Sequence, residues 1–138
     1  MVTVTYDYEF LYPYTETGSR EPLLQLRMAG AGLDQWADVD AFLDTGAELT
    51  LFDGEISRVI GLDLSAGRSK RFRGTSGSQI EARQHHVILV HKHVGRFQLP
   101  VCFSLSPIAR NLLGRDFLNR VQVGFRENHL TFYMAPGP

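Results

Sequence analysis

Ala41-Phe42-Leu43-Asp44-Thr45-Gly46-Ala47-Glu48-Leu49-Thr50-Leu51-Phe52 decides how the rest of the chain is read. Val39, Ala41 and Leu43 fall on one side of an alternating segment, the pattern of a half-buried strand. The strand runs straight into an aspartate, although burying a carboxylate at the end of an apolar strand is costly. Thr45 can hydrogen-bond locally, and Gly46 permits a tight backbone approach. The bare Asp-Thr-Gly tripeptide also suits an ordinary Asx-type turn between two strands.

The flanking sequence repeats the period-two pattern. Leu24, Leu26 and Met28 share one face of a strand that stops at Gly30-Ala31-Gly32. Phe97, Leu99, Val101 and Phe103 alternate with Arg96, Gln98, Pro100 and Cys102, and residues 80–90 fit another long strand. Alternation between dense turn signals predicts a mostly β domain. Pro100 belongs on an edge or at a bulge, because it cannot donate to a ladder. Short helices are expected at residues 55–60, with Asp53 as cap and Gly61 as stop, and at residues 115–120. Tyr6, Tyr8, Phe10, Tyr12 and Tyr14 alternate within residues 1–20, which reads as an N-terminal extension forming an added strand. The main domain then covers 21–134, followed by a tail at 135–138.

The chain has 138 residues, enough for one domain with a real core. With 43% hydrophobic residues and a formal charge of -1, it has neither the basic excess of a nucleic-acid binder nor an acidic block. Cys102 is the single cysteine, so an internal disulfide is excluded and a reducing, cytoplasmic setting is expected. Residues 1–10 lack a basic n-region and a long apolar core, and no apolar run reaches membrane-spanning length. Neither nucleic acid nor membrane is an expected partner.

Phe42-Leu43-Asp44-Thr45-Gly46-Ala47 resembles the active-site motif of the retroviral-type aspartic proteases, the retropepsins. Asn111-Leu112-Leu113-Gly114-Arg115-Asp116-Phe117-Leu118 resembles that family's second signature, two apolar residues, Gly and Arg opening a short helix. Between them, Arg73-Gly74-Thr75-Ser76-Gly77-Ser78 stands where the family places its flap. The resemblance implies an all-β, single-lobe, closed β-barrel with one or two short helices and a flap hairpin. It also implies an aspartic endopeptidase that needs no cofactor and acts on a peptide or protein substrate. Only one Asp-Thr-Gly is present, so a homodimer would supply the second Asp44.

By the same resemblance, Asp44, Thr45 and Gly46 form the catalytic loop, with Thr45 bonding across the dimer axis. Ala47 and Glu48 would line the cleft. Gly74, Thr75, Ser76 and Gly77 would close over the substrate, and Ile108 and Leu112 would offer apolar pockets. Gly114 and Arg115 would support the loop, Arg115 through a charge-assisted pair with Glu48. This chain departs from the family in carrying Glu rather than Asp at 48 and in its polar flap tip.

His85, His86, His91 and His93 raise a metal hypothesis, but no third ligand on a nearby element completes a set, so they read as solvated or satisfied histidines. Arg68, Lys70, Arg71 and Arg73 read as a solvated strand face, and Cys102 as a small packed hydrophobe. The same fold also serves as a catalytically inactive dimerisation or peptide-binding module. An intact Asp44-Thr45-Gly46 weighs toward hydrolysis.

Overall fold

The computed structural model describes residues 1–3, 10–16, 18, 20–73 and 77–137. The expected flap-tip residues Gly74, Thr75 and Ser76, and Tyr6 and Tyr8 of the N-terminal extension, lie outside the described residues. In chain order the strands are β1 (Phe10–Pro13), β2 (Leu23–Gly30), β3 (Trp36–Leu43), β4 (Leu51–Asp53), β5 (Arg68–Arg73), β6 (Gln79–His91), β7 (Gly95–Ser104), β8 (Leu112–Leu113), β9 (Val121–Arg126) and β10 (Thr131–Pro136). Two short helices, α1 (Glu55–Val59) and α2 (Arg115–Leu118), and two 3-10 turns complete them.

Seven strands lie in the order β2-β3-β8-β4-β7-β6-β5, and β2 also pairs with β6, which closes the sheet on itself. The alternating apolar faces read from the sequence point into this barrel. Leu24, Leu26, Met28, Val39, Ala41, Leu43, Phe97, Leu99, Val101 and Phe103 are all buried. The chain is thus the all-β closed barrel that the sequence predicts. Pro100 sits opposite His86 on β6, on a stretch of β7 that β4 does not reach, so its missing N–H breaks no ladder.

A separate antiparallel sheet, β1-β10-β9, packs on the barrel. Tyr14, Phe132 and Met134 join its core, with Tyr12 partly buried beside them. Val121, Val123 and Phe125 alternate along β9, a strand signal that the sequence reading passed over. The turn between β9 and β10 ends on Leu130 with φ +51.

The N-cap of helix α1 lies one residue beyond the expected Asp53. Gly54 is the N-cap, and Asp53 Oδ1 accepts the Glu55 N–H at 2.9 Å. Gly61, at φ +77, lets the chain leave the helix in a left-handed conformation. Helix α2 is shorter than the expected 115–120. It stops at Leu118 because the chain must turn out into β9, where Val121 is buried and pairs with Pro136.

Candidate active site

Strands β3 and β8 run parallel, with Phe42 opposite Leu112 and Leu43 opposite Leu113. Parallel neighbours deliver their following loops to the same end of the barrel. The Asp44 loop and the start of α2 therefore meet, although 70 positions separate Thr45 from Arg115. The Asp44 N–H donates to the Leu113 carbonyl at 2.9 Å, which extends the ladder up to the aspartate itself. Its half-buried carboxylate accepts the Gly46 N–H at 2.9 Å, and the Ala47 N–H reaches the Asp44 carbonyl at 3.2 Å. An Asx turn, the plain alternative for the bare tripeptide, is thus present within the loop.

The loop is held from below by α2. Arg115 N–H donates to the Ala47 carbonyl at 2.8 Å, and Asp116 N–H to the Glu48 carbonyl at 3.3 Å. Gly114 allows this approach. A Cβ there would lie 2.7 Å from the Leu49 carbonyl and 2.9 Å from the Ala47 oxygen.

The expected ion pair between Glu48 and Arg115 is not formed. Arg115 Nη1 donates instead to the Thr45 carbonyl at 2.9 Å. The reason is local: the Glu48 backbone faces α2 while its side chain is exposed. An exposed pair gains little there against the entropy of fixing two long side chains.

Sequence reasoning missed the residues that lock this end of the barrel. Thr50 is fully buried. Its hydroxyl donates to Asp116 Oδ1 at 2.7 Å and accepts the Gly114 N–H at 3.1 Å, while its own N–H donates to Asp116 Oδ2 at 3.0 Å. Asp116 Oδ1 also accepts the Phe117 N–H at 2.8 Å. An acidic residue in the first helical turn was the only local signal, and its partner lies far away in sequence.

Ile108 packs with Leu49, Phe72 and Ile80 against a small cluster of Leu51, Ala82 and Cys102. Leu112 lies half-buried beside Phe42. Phe72 and Ile80 oppose one another in the β5–β6 hairpin, whose described arms end at Arg73 and Gln79. Gly77 has φ +83.

The histidines, Cys102 and the basic residues of β5 are the remaining candidates. His91 is buried, and its Nδ1 accepts the His93 and Val94 N–H groups at 3.1 and 3.3 Å. Burial first, then the neighbouring His93 and Lys92, lowers its pKa to about 4. His93 Nδ1 meets the Tyr12 hydroxyl at 2.5 Å and its ring stacks on Phe10 at 4.1 Å. Among the described residues no group of three or more His, Cys, Asp or Glu gathers to hold a metal. The Cys102 thiol is buried and its pKa raised to about 11, chiefly by that burial, so it stays protonated. Arg68, Arg71 and Arg73 are exposed, with Arg71 paired to Glu81 at 3.7 Å. Among the described residues no helix is long and apolar enough to cross a membrane.

Comparison with known proteins agrees with this geometry. A search of curated proteins finds no match. Among solved structures, the chain is similar to a retropepsin-like aspartic protease from Rickettsia conorii, with a TM-score of 0.65 and 18% identity, covering 95% of this chain and 97% of that one. It is also similar to the EIAV protease complexed with the inhibitor HBY-793, with a TM-score of 0.56 and 18% identity, covering 76% of this chain and 91% of the other. At such identities the likeness establishes the fold. The family described as retroviral aspartyl protease matches residues 18–126, well over half of the sequence. This chain therefore belongs to the retroviral aspartyl protease family.

Proposed function

We propose that the chain is an aspartic endopeptidase whose active site forms between two copies, each contributing Asp44. The observation that carries the reading is the Asp44 loop itself. A half-buried carboxylate ends a rigid strand, is oriented by the Gly46 N–H, and rests on a helix start held to the loop by hydrogen bonds. Such support is what a catalytic group needs to keep its geometry through turnover.

Peptide hydrolysis without a covalent intermediate requires one carboxylate to take a proton from water and one carboxylic acid to protonate the substrate carbonyl oxygen. Two carboxyls about 3 Å apart share a single proton, and aspartic proteases are the type case. The hydroxide so formed attacks the carbonyl carbon to give a tetrahedral diol. Collapse of the diol breaks the C–N bond as the leaving nitrogen takes up a proton, and the dyad returns to its singly protonated state. One chain has one Asp-Thr-Gly, so the second carboxyl must come from another copy.

In this reading Thr45, exposed beside Asp44, bonds across the two-fold axis. Gly46, Ala47 and Glu48 form the rim along which the substrate backbone lies, and Gly74, Thr75, Ser76 and Gly77 cover it. An extended peptide would be bound by strand addition, with Ile108 and Leu112 contributing apolar wall. The single buried thiol suits a cytoplasmic setting.

The test is incubation of concentrated protein with denatured casein at mildly acid pH, beside Asp44→Asn. Peptide release by the unaltered chain alone is the expected result. Binding of peptide without release by either protein would make the chain a peptide-binding module instead.

A further inference from the structure

Several strand positions share the outward face of Asp44. Phe42 lies two residues before it, and the intervening Leu43 is buried in the core. Across the sheet, Phe42 is flanked by Leu23 on β2 and Leu112 on β8. Glu21 and Arg110 precede those two residues by two positions each, just outside the ends of β2 and β8. They meet there. The Arg110 guanidinium carbon lies 4.0 Å from the centroid of the Phe42 ring, and its Nη2 donates to the Glu21 carboxylate. The segment carrying Arg110 is fixed by the next residue. The Asn111 amide donates to the Asp40 carbonyl at 2.9 Å and accepts the Asp53 N–H at 2.8 Å, while the Phe42 N–H donates to the Asn111 carbonyl at 2.9 Å.

We propose that Arg110, seated on Phe42 and paired with Glu21, selects the substrate side chain beside the cut and favours one ending in a carboxylate or carboxamide. The proposal rests on Asp44 being the catalytic aspartate. The wall over Phe42, two residues before that aspartate, is then a half-exposed guanidinium rather than a bare phenylalanine ring, with relative exposures of 37% for Arg110 and 36% for Glu21. Glu21 occupies part of the fork, and among the described residues no other acceptor takes its remaining N–H donors. A planar pair of oxygens matches those donors. An aliphatic side chain would strip water from both charges and return no hydrogen bond. Glu21 also sets the strength of the selection. It shares the guanidinium with an incoming acceptor and repels a carboxylate, so neutralising it sharpens the preference for acid.

Three otherwise identical peptides carrying Glu, Gln or Leu beside the scissile bond test this, with cleavage rates measured for the full chain, Arg110→Leu and Glu21→Gln. The unaltered chain should cleave the Glu and Gln peptides faster than the Leu peptide by about fivefold or more. Arg110→Leu should reverse the order, and Glu21→Gln should raise the Glu-to-Leu ratio further. Opposite responses separate selection from a merely structural ion pair, whose loss would lower all three rates together. That uniform loss, or a preference for Leu in the unaltered chain, overturns the proposal. Calorimetric binding of the same peptides to Asp44→Asn reads the preference without turnover. Selective binding with no cleavage by the unaltered chain would sink the catalytic reading and uphold Arg110, whereas equal binding of all three would overturn Arg110's role.

Discussion

Arg115 grips the backbone of the catalytic-loop candidate, its guanidinium donating to the Thr45 carbonyl at 2.9 Å, rather than a carboxylate. The distinction changes what its loss should do. No buried carboxylate is orphaned by removing this arginine, so the large penalty of a broken buried ion pair does not apply. Arg115→Ala should cost about 1 kcal/mol in urea unfolding, the worth of one exposed hydrogen bond. Its effect on turnover should be larger than on stability, because Thr45 adjoins Asp44. A stability loss as large as a buried pair's would contradict this assignment.

Thr50 carries a heavier structural duty. Thr50→Val keeps the shape but removes the hydroxyl, leaving the Gly114 N–H without its acceptor and depriving Asp116 of a donor. The expected cost is about 2–4 kcal/mol, the desolvation of groups left unpaired in a buried site. Thr50→Ser, which keeps the hydroxyl, should recover most of it. Equal losses in the two variants would show that the methyl group, and not the hydrogen bonds, matters.

His91 predicts an acid-sensitive fold. Its folded pKa of about 4 lies below the ordinary 6.5, so the unfolded chain binds more protons between those values. Stability should be complete above about pH 6.5 and fall as pH drops toward about 4, by an amount of order 3 kcal/mol. His91→Asn keeps an acceptor near the His93 and Val94 N–H groups but cannot titrate. Its stability should change less than that of the unaltered chain across the same window. Parallel pH profiles for both proteins would refute the assignment. Because a proton-sharing dyad works on the acid side of neutrality, this histidine would also set a lower pH limit on activity.

The shared-dyad reading predicts an activity that dilution extinguishes faster than concentration alone explains. Mixing makes this quantitative. Unaltered chains re-equilibrated with excess Asp44→Asn chains should lose activity as the square of the unaltered fraction, since random pairing sets the share of dimers holding two aspartates. A linear dependence would mean that each chain works alone.

The β5–β6 hairpin offers a test of substrate closure. A lid over the cleft should become protected when a pepstatin-like transition-state analogue binds. Hydrogen exchange at Phe72, Arg73, Gln79 and Ile80, the described ends of the two arms, should slow in the complex. Inhibitor binding with unchanged exchange there would remove the hairpin from the mechanism.

The sequence by itself determined β2, β3, β6 and β7, because burial on one face writes a period of two where a strand half-faces a core. Leu24, Leu26 and Met28, Val39, Ala41 and Leu43, and the run from Phe97 to Phe103 were legible for that reason. So was the Asp44 loop, a local turn in which the Gly46 N–H donates to the Asp44 carboxylate, and so was the Leu-Leu-Gly-Arg start of α2. Tertiary structure decided which distant groups meet. Closure of β2 on β6 and the parallel pairs β3–β8 and β4–β7 bring Thr50 to Asp116, Arg115 to the Thr45 carbonyl, and Arg110 to Glu21 across Phe42. A local pattern records only whether a side chain faces the core. The partner of a polar side chain is fixed by which segments lie side by side, so Glu48 looked like the natural mate of Arg115, whereas the loop turns its backbone to α2 and leaves its side chain exposed.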